Sequence, residues 1–304
     1  MPRSLAFYGK GGVGKSTIVS NVSAALAQLG RRILQVGCDP KRDSSRNLIN
    51  TFPPVTLMDL LNAGHTELKR SDIVMDGGPN VDCIEAGGPQ PGVGCAGRGL
   101  GRLFEELERM RIFDDNYDYI FYDVLGDVVC GGFAVPMRSG YAQEVYVVTS
   151  GEFMSLYAAN NIARGIKNYA SEGDVRMGGL IANVKDLAAD YEIIENFAEH
   201  IGTHVVYYLE WNKIVHEAER RRQTVVRYRP DDPFARACFG LAQAIETGTR
   251  RHVPQPLADN ELEAFLETLF GLRRTDEVPT SAPRRPGAST PLPASPAPTN
   301  ATPR

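Results

Sequence analysis

The stretch Gly9-Lys10-Gly11-Gly12-Val13-Gly14-Lys15-Ser16 lies between a short apolar run, Leu5 to Tyr8, and an amphipathic run, Thr17 to Leu29. The context is strand, loop, helix, which is what a phosphate-binding P-loop requires. Glycines let backbone N–H groups close around phosphate oxygens with no Cβ in the way. The helix N-terminus adds its positive dipole end. In such a loop Lys15 reaches the β- and γ-phosphates and the Ser16 hydroxyl ligates Mg²⁺. Gly9, Lys10, Gly11, Gly12, Val13, Gly14, Lys15, Ser16 and Thr17 therefore form a candidate cradle for a nucleoside triphosphate.

Outward from the loop, the helix from Ser16 to Leu29 ends at Gly30, a residue suited to a helix C-terminus. A second strand, Ile33 to Gly37, leads into Cys38-Asp39-Pro40-Lys41-Arg42-Asp43-Ser44-Ser45. A βαβ unit of this length implies parallel strands with a right-handed crossover, and ligands of such sheets sit beyond the carboxyl ends of the strands. Asp39 and Asp43 are thus expected on the same rim as the P-loop. A strand from Tyr117 to Tyr122 runs into Asp123, the Walker B pattern in which a carboxylate organises the Mg²⁺ shell. The two Asp-x-x-x-Asp segments, 39–43 and 123–127, can act as switches that respond to the γ-phosphate, and Asp39 or Asp127 can position the attacking water. For Asp43 alone a helix N-cap is an equal alternative.

Further strands are expected at Glu144–Thr149, Gly178–Ala182 and His204–Tyr208. Helices are expected at Leu57–Ala63, Leu103–Met110, 153–170, 190–201, 213–222, 233–247 and 258–270. This alternation indicates an α/β fold with a doubly wound, mostly parallel sheet. The charged run Glu217 to Arg222 reads as a solvated face, and the Gly/Pro-dominated stretch Cys83 to Gly99 as a loop. From Pro279 onward 8 of 26 residues are proline. Such a composition cannot bury a core, so the division expected is a P-loop domain over 1–272 and a disordered Pro/Ala-rich tail over 273–304.

A net charge of -4 over 304 residues gives no case for a nucleic-acid or anionic-membrane partner. No apolar run reaches the ~18 residues of a spanning helix, and no secretion signal is evident, so a cytoplasmic address is expected. The five cysteines show no CxxC spacing, and the default for each is a small buried hydrophobe. Cys95 and Cys130 depart from that default because each lies among glycines, in Gly94-Cys95-Ala96-Gly97 and Cys130-Gly131-Gly132. Glycines around a thiolate let backbone N–H groups approach sulfur, as they do around iron–sulfur clusters. Two cysteines cannot hold a [4Fe–4S] cluster, but a two-fold dimer supplies four.

The segments GKGGVGKST, GCDPKRDSS, EAGGPQPGVGCAGRG, YDVLGDVVCGGFAVP and YAANNI, spread from about residue 3 to 270, resemble the nitrogenase iron protein family. That family includes nitrogenase reductases and the reductase components of nitrogenase-like systems. The resemblance implies a homodimer with one [4Fe–4S] cluster held by Cys95 and Cys130 of both chains. MgATP hydrolysis would drive docking on a larger catalytic partner and delivery of single electrons, drawn from an upstream ferredoxin or flavodoxin. It puts Lys10, Lys15, Ser16, Asp39, Asp43, Asp123 and Asp127 on nucleotide and switch positions, and Asn183 on an adenine contact. Lys10 marks the deviant Walker branch, whose members pass this lysine to the partner's phosphates; the alternative is an exposed loop lysine. Arg98 and Arg138 fall on the docking surface, and the position of Arg98 is an ADP-ribosylation target in some nitrogenase iron proteins.

Departures from the family pattern narrow the expectation. Lys41-Arg42-Asp43-Ser44-Ser45 stands where nitrogenase iron proteins usually read KADST, and Glu210-Trp211-Asn212-Lys213 where a Pro-Arg-Asp-Asn run makes adenine contacts. These changes favour a nitrogenase-like system, methylthio-alkane reductase first, over a true nitrogenase. The rival from another class is a cluster-free positioning ATPase of the same deviant Walker branch. A scaffold that loads clusters or metals onto a partner is a third reading.

Overall fold

The computed structural model describes residues 2–88, 96–126, 132, 134–185 and 187–271, excepting the side chains of Ala96, Arg98, Leu187 and Ala188. The sheet begins with β1 (Arg3–Tyr8), followed by α1 (Lys15–Gln28) and β2 (Ile33–Gly37). Short helices α2 (Leu57–Asn62) and α3 (Arg70–Ile73) lead to β3 (Met75–Asp76) and β4 (Val81–Glu85). Then come α4 (Ala96–Arg109), β5 (Tyr119–Asp123), α5 (Val135–Arg138) and β6 (Glu144–Thr149). The next stretch is α6 (Phe153–Ala170), β7 (Arg176–Val184), α7 (Leu187–His200) and β8 (Val205–Glu210). Helices α8 (Ile214–Glu219), α9 (Val225–Tyr228), α10 (Pro233–Thr247) and α11 (Asp259–Phe270) finish the described fold.

The eight strands lie in the order β3-β4-β2-β5-β1-β6-β7-β8. All pairings are parallel except β3 with β4. This is the α/β, doubly wound, mostly parallel sheet expected, and its central strands are apolar because helices cover both faces. Alternate residues of β1 serve two cores. Leu5 and Phe7 pack with Phe121, Tyr146 and the inward sides of α1, α9 and α10, while Ala6 and Tyr8 pack with Tyr122, Val147 and α4, α6 and α7. The Phe7 ring meets Phe121 edge-on at 5.0 Å and stacks on Tyr146 at 5.8 Å. Among the described residues no helix is long and apolar enough to cross a membrane.

Three differences from the sequence reading have physical causes. Residues 81–85 form a strand that runs three residues into the stretch read as loop. Its two acids find tertiary partners: Asp82 accepts from the Tyr117 hydroxyl at 2.6 Å, and Glu85 accepts from Ser45. Helix α4 begins at Ala96, seven residues before the expected start, because Gly97, Gly99 and Gly101 weaken a propensity that packing then supplies. The helix expected over 213–222 is the shorter α8, after which the backbone turns at Arg222 (φ 54) into α9. Glu219, read as part of a solvated face, instead accepts from the Thr17 hydroxyl at 3.0 Å.

Candidate functional site

The carboxyl ends of β1, β2, β5 and β7 converge on one rim, and the candidate residues gather there. Gly9, Lys10, Gly11, Gly12, Gly14, Lys15, Ser16, Thr17, Asp39, Asp43 and Asn183 line a single cavity of about 320 Å³. Val13 is buried beneath it, and its carbonyl accepts from Asn183 Nδ2 at 2.8 Å. Gly14 is the N-cap of α1 at φ 95, a left-handed conformation that strains any side-chain-bearing residue. Turned this way, the loop presents the start of α1, with its unpaired N–H groups, to the cavity.

Lys15 and Asp123 form a buried ion pair, the lysine 8% and the carboxylate 1% exposed. Neither charge faces water, so each depends on the other to offset its desolvation. Asp39, 6% exposed, accepts from the backbone N–H of Lys41 at 2.9 Å and sits 3.6 Å from the Lys41 ammonium. Burial pushes the Asp43 carboxyl up, the neighbouring charges of Asp39 and Asp123 add to the shift, and Lys15 and Lys41 oppose it. Its Oδ1 is buried without a hydrogen-bond partner. Asp43 lines the same cavity as Ser16 and the phosphate loop, and an unpaired carboxylate oxygen there fits a hydrated Mg²⁺. Among the described residues no group of three His, Cys, Asp or Glu side chains is arranged to cage a metal. The donor set of Mg²⁺ in phosphate sites is instead a hydroxyl, one or two carboxylates, phosphate and water.

Trp211, Asn212, Val215, His216 and Phe234 line the same cavity. Trp211 is 54% exposed and its ring meets His216 edge-on at 6.0 Å. The segment that departs from the family's adenine-contact run therefore still closes the nucleotide cavity, with an indole in place of the usual residues. Sequence reasoning named Trp211 only within the run that replaces the family's adenine contacts, and did not single out Glu219 or Glu85. Only Trp211 carried a signal, being the single tryptophan of the chain.

Two close backbone approaches join segments distant in sequence, one of them at this rim. A Cβ added at Gly126 would stand 2.5 Å from the Gly9 nitrogen, so the segment after Asp123 lies directly on the P-loop. A Cβ added at Gly97 would stand 2.6 Å from the Gly132 Cα. Gly97 is two residues after Cys95 in the sequence and Gly132 two after Cys130. Cys95, Cys130 and Asp127, and the side chain of Arg98, lie outside the described residues. Arg138 is exposed in α5. Cys38, Cys83 and Cys238 are free and buried, the default expected of them, and burial pushes each thiol up.

A P-loop whose lysine and Walker B carboxylate meet beyond the ends of a parallel sheet defines a P-loop NTPase fold. Solved structures share it. The septum site-determining protein MinD of Pyrococcus horikoshii OT3, complexed with Mg-ADP, superposes with TM-score 0.64 at 23% identity, covering 81% of this chain and 97% of that one. The cell division ATPase MinD of Pyrococcus furiosus gives 0.63 at 24%, covering 81% and 99%. A ParA family ATPase from Chlorobium tepidum TLS gives 0.62 at 21%, covering 80% and 98%. These likenesses concern the fold. The family model of the 4Fe-4S iron sulfur cluster binding proteins, NifH/frxC family, matches residues 3–271, and the chain belongs to that family.

Proposed function

We propose that this protein is the ATP-dependent reductase component of a nitrogenase-like system. It would act as a cytoplasmic homodimer with one [4Fe–4S] cluster, held by Cys95 and Cys130 of both chains. The observation that supports this reading is the close approach of Gly97 to Gly132, each two residues after one of the cysteines. Glycines there leave a cradle that side chains would fill, and such a cradle fits a cluster hydrogen-bonded by backbone N–H groups. Bound there, the cluster would supply single low-potential electrons.

The residues of the rim supply the coupling. With nucleotide bound, Lys15, now paired with Asp123, would serve the β- and γ-phosphates, and Asp123 and Ser16 would hold the Mg²⁺ shell, whose charge would stabilise the phosphates. Lys10 neutralises phosphate across the dimer. Asp39, or Asp127, takes the proton of the water that attacks the γ-phosphorus, and ADP leaves with the bridging oxygen. Because Gly126 lies on Gly9, a change at the phosphates displaces the segment leading to Cys130. Asn183, Trp211 and Asn212 hold the base.

Residues 1–272 form the working domain in this reading and 273–304 a tail outside it. Arg98 and Arg138 face a larger heteromeric partner, and a ferredoxin or flavodoxin reloads the electron. The departures at 41–45 and 210–213 favour a methylthio-alkane reductase system, with a true nitrogenase as the alternative. The test is an anaerobic pull-down with this chain as bait, in MgATP and an agent that traps the docked state. Capture of a nitrogenase-like component is expected. Capture of a molybdenum, vanadium or iron-only nitrogenase component would return the chain to nitrogen fixation, and no capture from a cluster-free protein would leave the positioning ATPase.

A further inference from the structure

At the end of the sheet opposite the nucleotide rim, a hollow of about 290 Å³ lies against the starts of β7 and β8. It is lined by Gly202, Thr203, His204, Arg250, Arg251 and His252, so four of its six residues are basic and none is acidic. His204 directly precedes β8, and its carbonyl accepts from the Leu180 N–H at 2.9 Å. His252 exchanges backbone hydrogen bonds with Met177, at 2.9 and 3.2 Å. Met177 stands six residues before Asn183 on β7, so the strand rise puts the hollow roughly 20 Å from the nucleotide cavity.

These backbone pairings fix the two imidazoles, whose ring centroids are 5.6 Å apart, and His252 Nε2 lies 2.8 Å from the Thr203 hydroxyl. Arg251 is turned by Glu144 of β6 at 2.8 Å. That buried carboxylate also takes Arg3 of β1, so one negative charge serves two guanidiniums. Arg250 makes no ion pair among the described residues. From α7, Glu195 acts on His204 but already accepts from the Tyr208 hydroxyl. On β7, Arg176 donates to the Gly173 and Val175 carbonyls. Burial, then the Arg250 charge, holds the His204 imidazole below its usual range, with Glu195 opposing. Burial, then His204 and Arg250, does the same to His252.

Cationic groups gathered without a counter-charge repel one another, and an anion placed among them removes that cost. Guanidinium and imidazolium groups only donate, so they match a ligand that only accepts. A lone carboxylate brings one charge and two oxygens, whereas a phosphate group brings up to two charges and three or four oxygens. We propose that this hollow binds a tetrahedral oxyanion, inorganic phosphate or the phosphate group of a small molecule, between Arg250, Arg251, His204 and His252. An anion there favours the protonated imidazoles, so binding takes up protons and tightens as pH falls through their titration. The site is separate from the P-loop and does not rest on the ATP reading.

Sulfate is the probe for the test, because its own charge is constant where histidine titrates. The ring C–H signals of the 5 histidines are followed by NMR in the full chain, with His204→Gln and His252→Gln assigning two of them. A non-hydrolysable ATP analogue with Mg²⁺ keeps sulfate out of the P-loop. Compared with chloride at equal ionic strength, saturating sulfate should move both ring midpoints up by about 1 pH unit. Its half-saturation should be lower at about pH 5.5 than at about pH 7.5. Arg250→Ala removes an exposed side chain and should weaken sulfate about tenfold, the worth of a charge-assisted hydrogen bond. Without sulfate the same variant should raise both midpoints, since a repelling charge is gone. Inorganic phosphate or glycerol phosphate should displace the sulfate, and the tighter of the two names the source. Ring titrations indifferent to sulfate, wild-type sulfate affinity in Arg250→Ala, or failure of both phosphates to compete overturns the proposal.

Discussion

Gly97→Ala probes the convergence of the two cysteine segments with one added methyl. Its Cβ would lie 2.6 Å from Gly132 Cα, 3.3 Å from its carbonyl carbon and 3.4 Å from its nitrogen, all backbone atoms that cannot swing aside. Overpacking of this kind costs about 1–3 kcal/mol. Alanine also gains roughly 0.5–1 kcal/mol over glycine within a helix, which works in the opposite direction. Gly101 lies in the same helix, and a Cβ there meets nothing within 4 Å. Gly101→Ala therefore carries the propensity gain alone, and the difference between the two variants isolates the overpacking, about 1–3 kcal/mol. Urea unfolding of both apo variants measures it, and iron content after anaerobic reconstitution measures its consequence. Gly97→Ala should be the less stable and should lose iron, while Gly101→Ala keeps it. Equal stability and equal iron in the two variants would refute the contact and the convergence drawn from it.

Lys15→Gln should abolish ATP turnover and also destabilise the apo protein by about 3–5 kcal/mol, because it strands the buried Asp123 carboxylate; an apo unfolding midpoint equal to wild type would remove the pair from the account. Glu85 is fully buried, and burial pushes its carboxyl up to about 8 despite the opposing hydrogen bonds from Ser45. The unfolded chain loses that proton near its ordinary value of 4.5 while the folded chain keeps it, so stability falls as pH rises from about 4.5 to about 8. Glu85→Gln should flatten this fall in urea unfolding at pH 5 to 8, and parallel curves for the two proteins would count against it. Trp211, the single tryptophan, should change its fluorescence when ATP binds, and Trp211→Ala should weaken ATP about tenfold if the indole stacks on the base. An emission spectrum indifferent to saturating ATP would place the base elsewhere.

The sheet and the phosphate rim were legible because both rest on local patterns. Apolar runs such as Leu5–Tyr8 and Glu144–Thr149 are buried on both faces, and Gly9–Ser16 needs its glycines whatever surrounds it. Asp39, Asp43 and Asn183 were placed on that rim by strand polarity or by family resemblance, and the fold puts them there. What was not legible depends on partners distant in sequence. Strand β4 ends in a glutamate that no pattern marks as buried; its partner Ser45 lies 40 residues earlier. Glu219 looked like one more charge on a solvated helix until α8 brought it to Thr17, 202 residues away.

The central claim is that Cys95 and Cys130 of two chains share one cluster. Anaerobic reconstitution of the wild-type chain, followed by iron analysis, absorbance near 400 nm and sedimentation, tests it most directly. The account predicts about four iron atoms per dimer, with the iron and the absorbance lost together in Cys95→Ser and in Cys130→Ser. A wild-type chain that hydrolyses ATP but binds no iron, or a serine variant that keeps the full iron content, would contradict it.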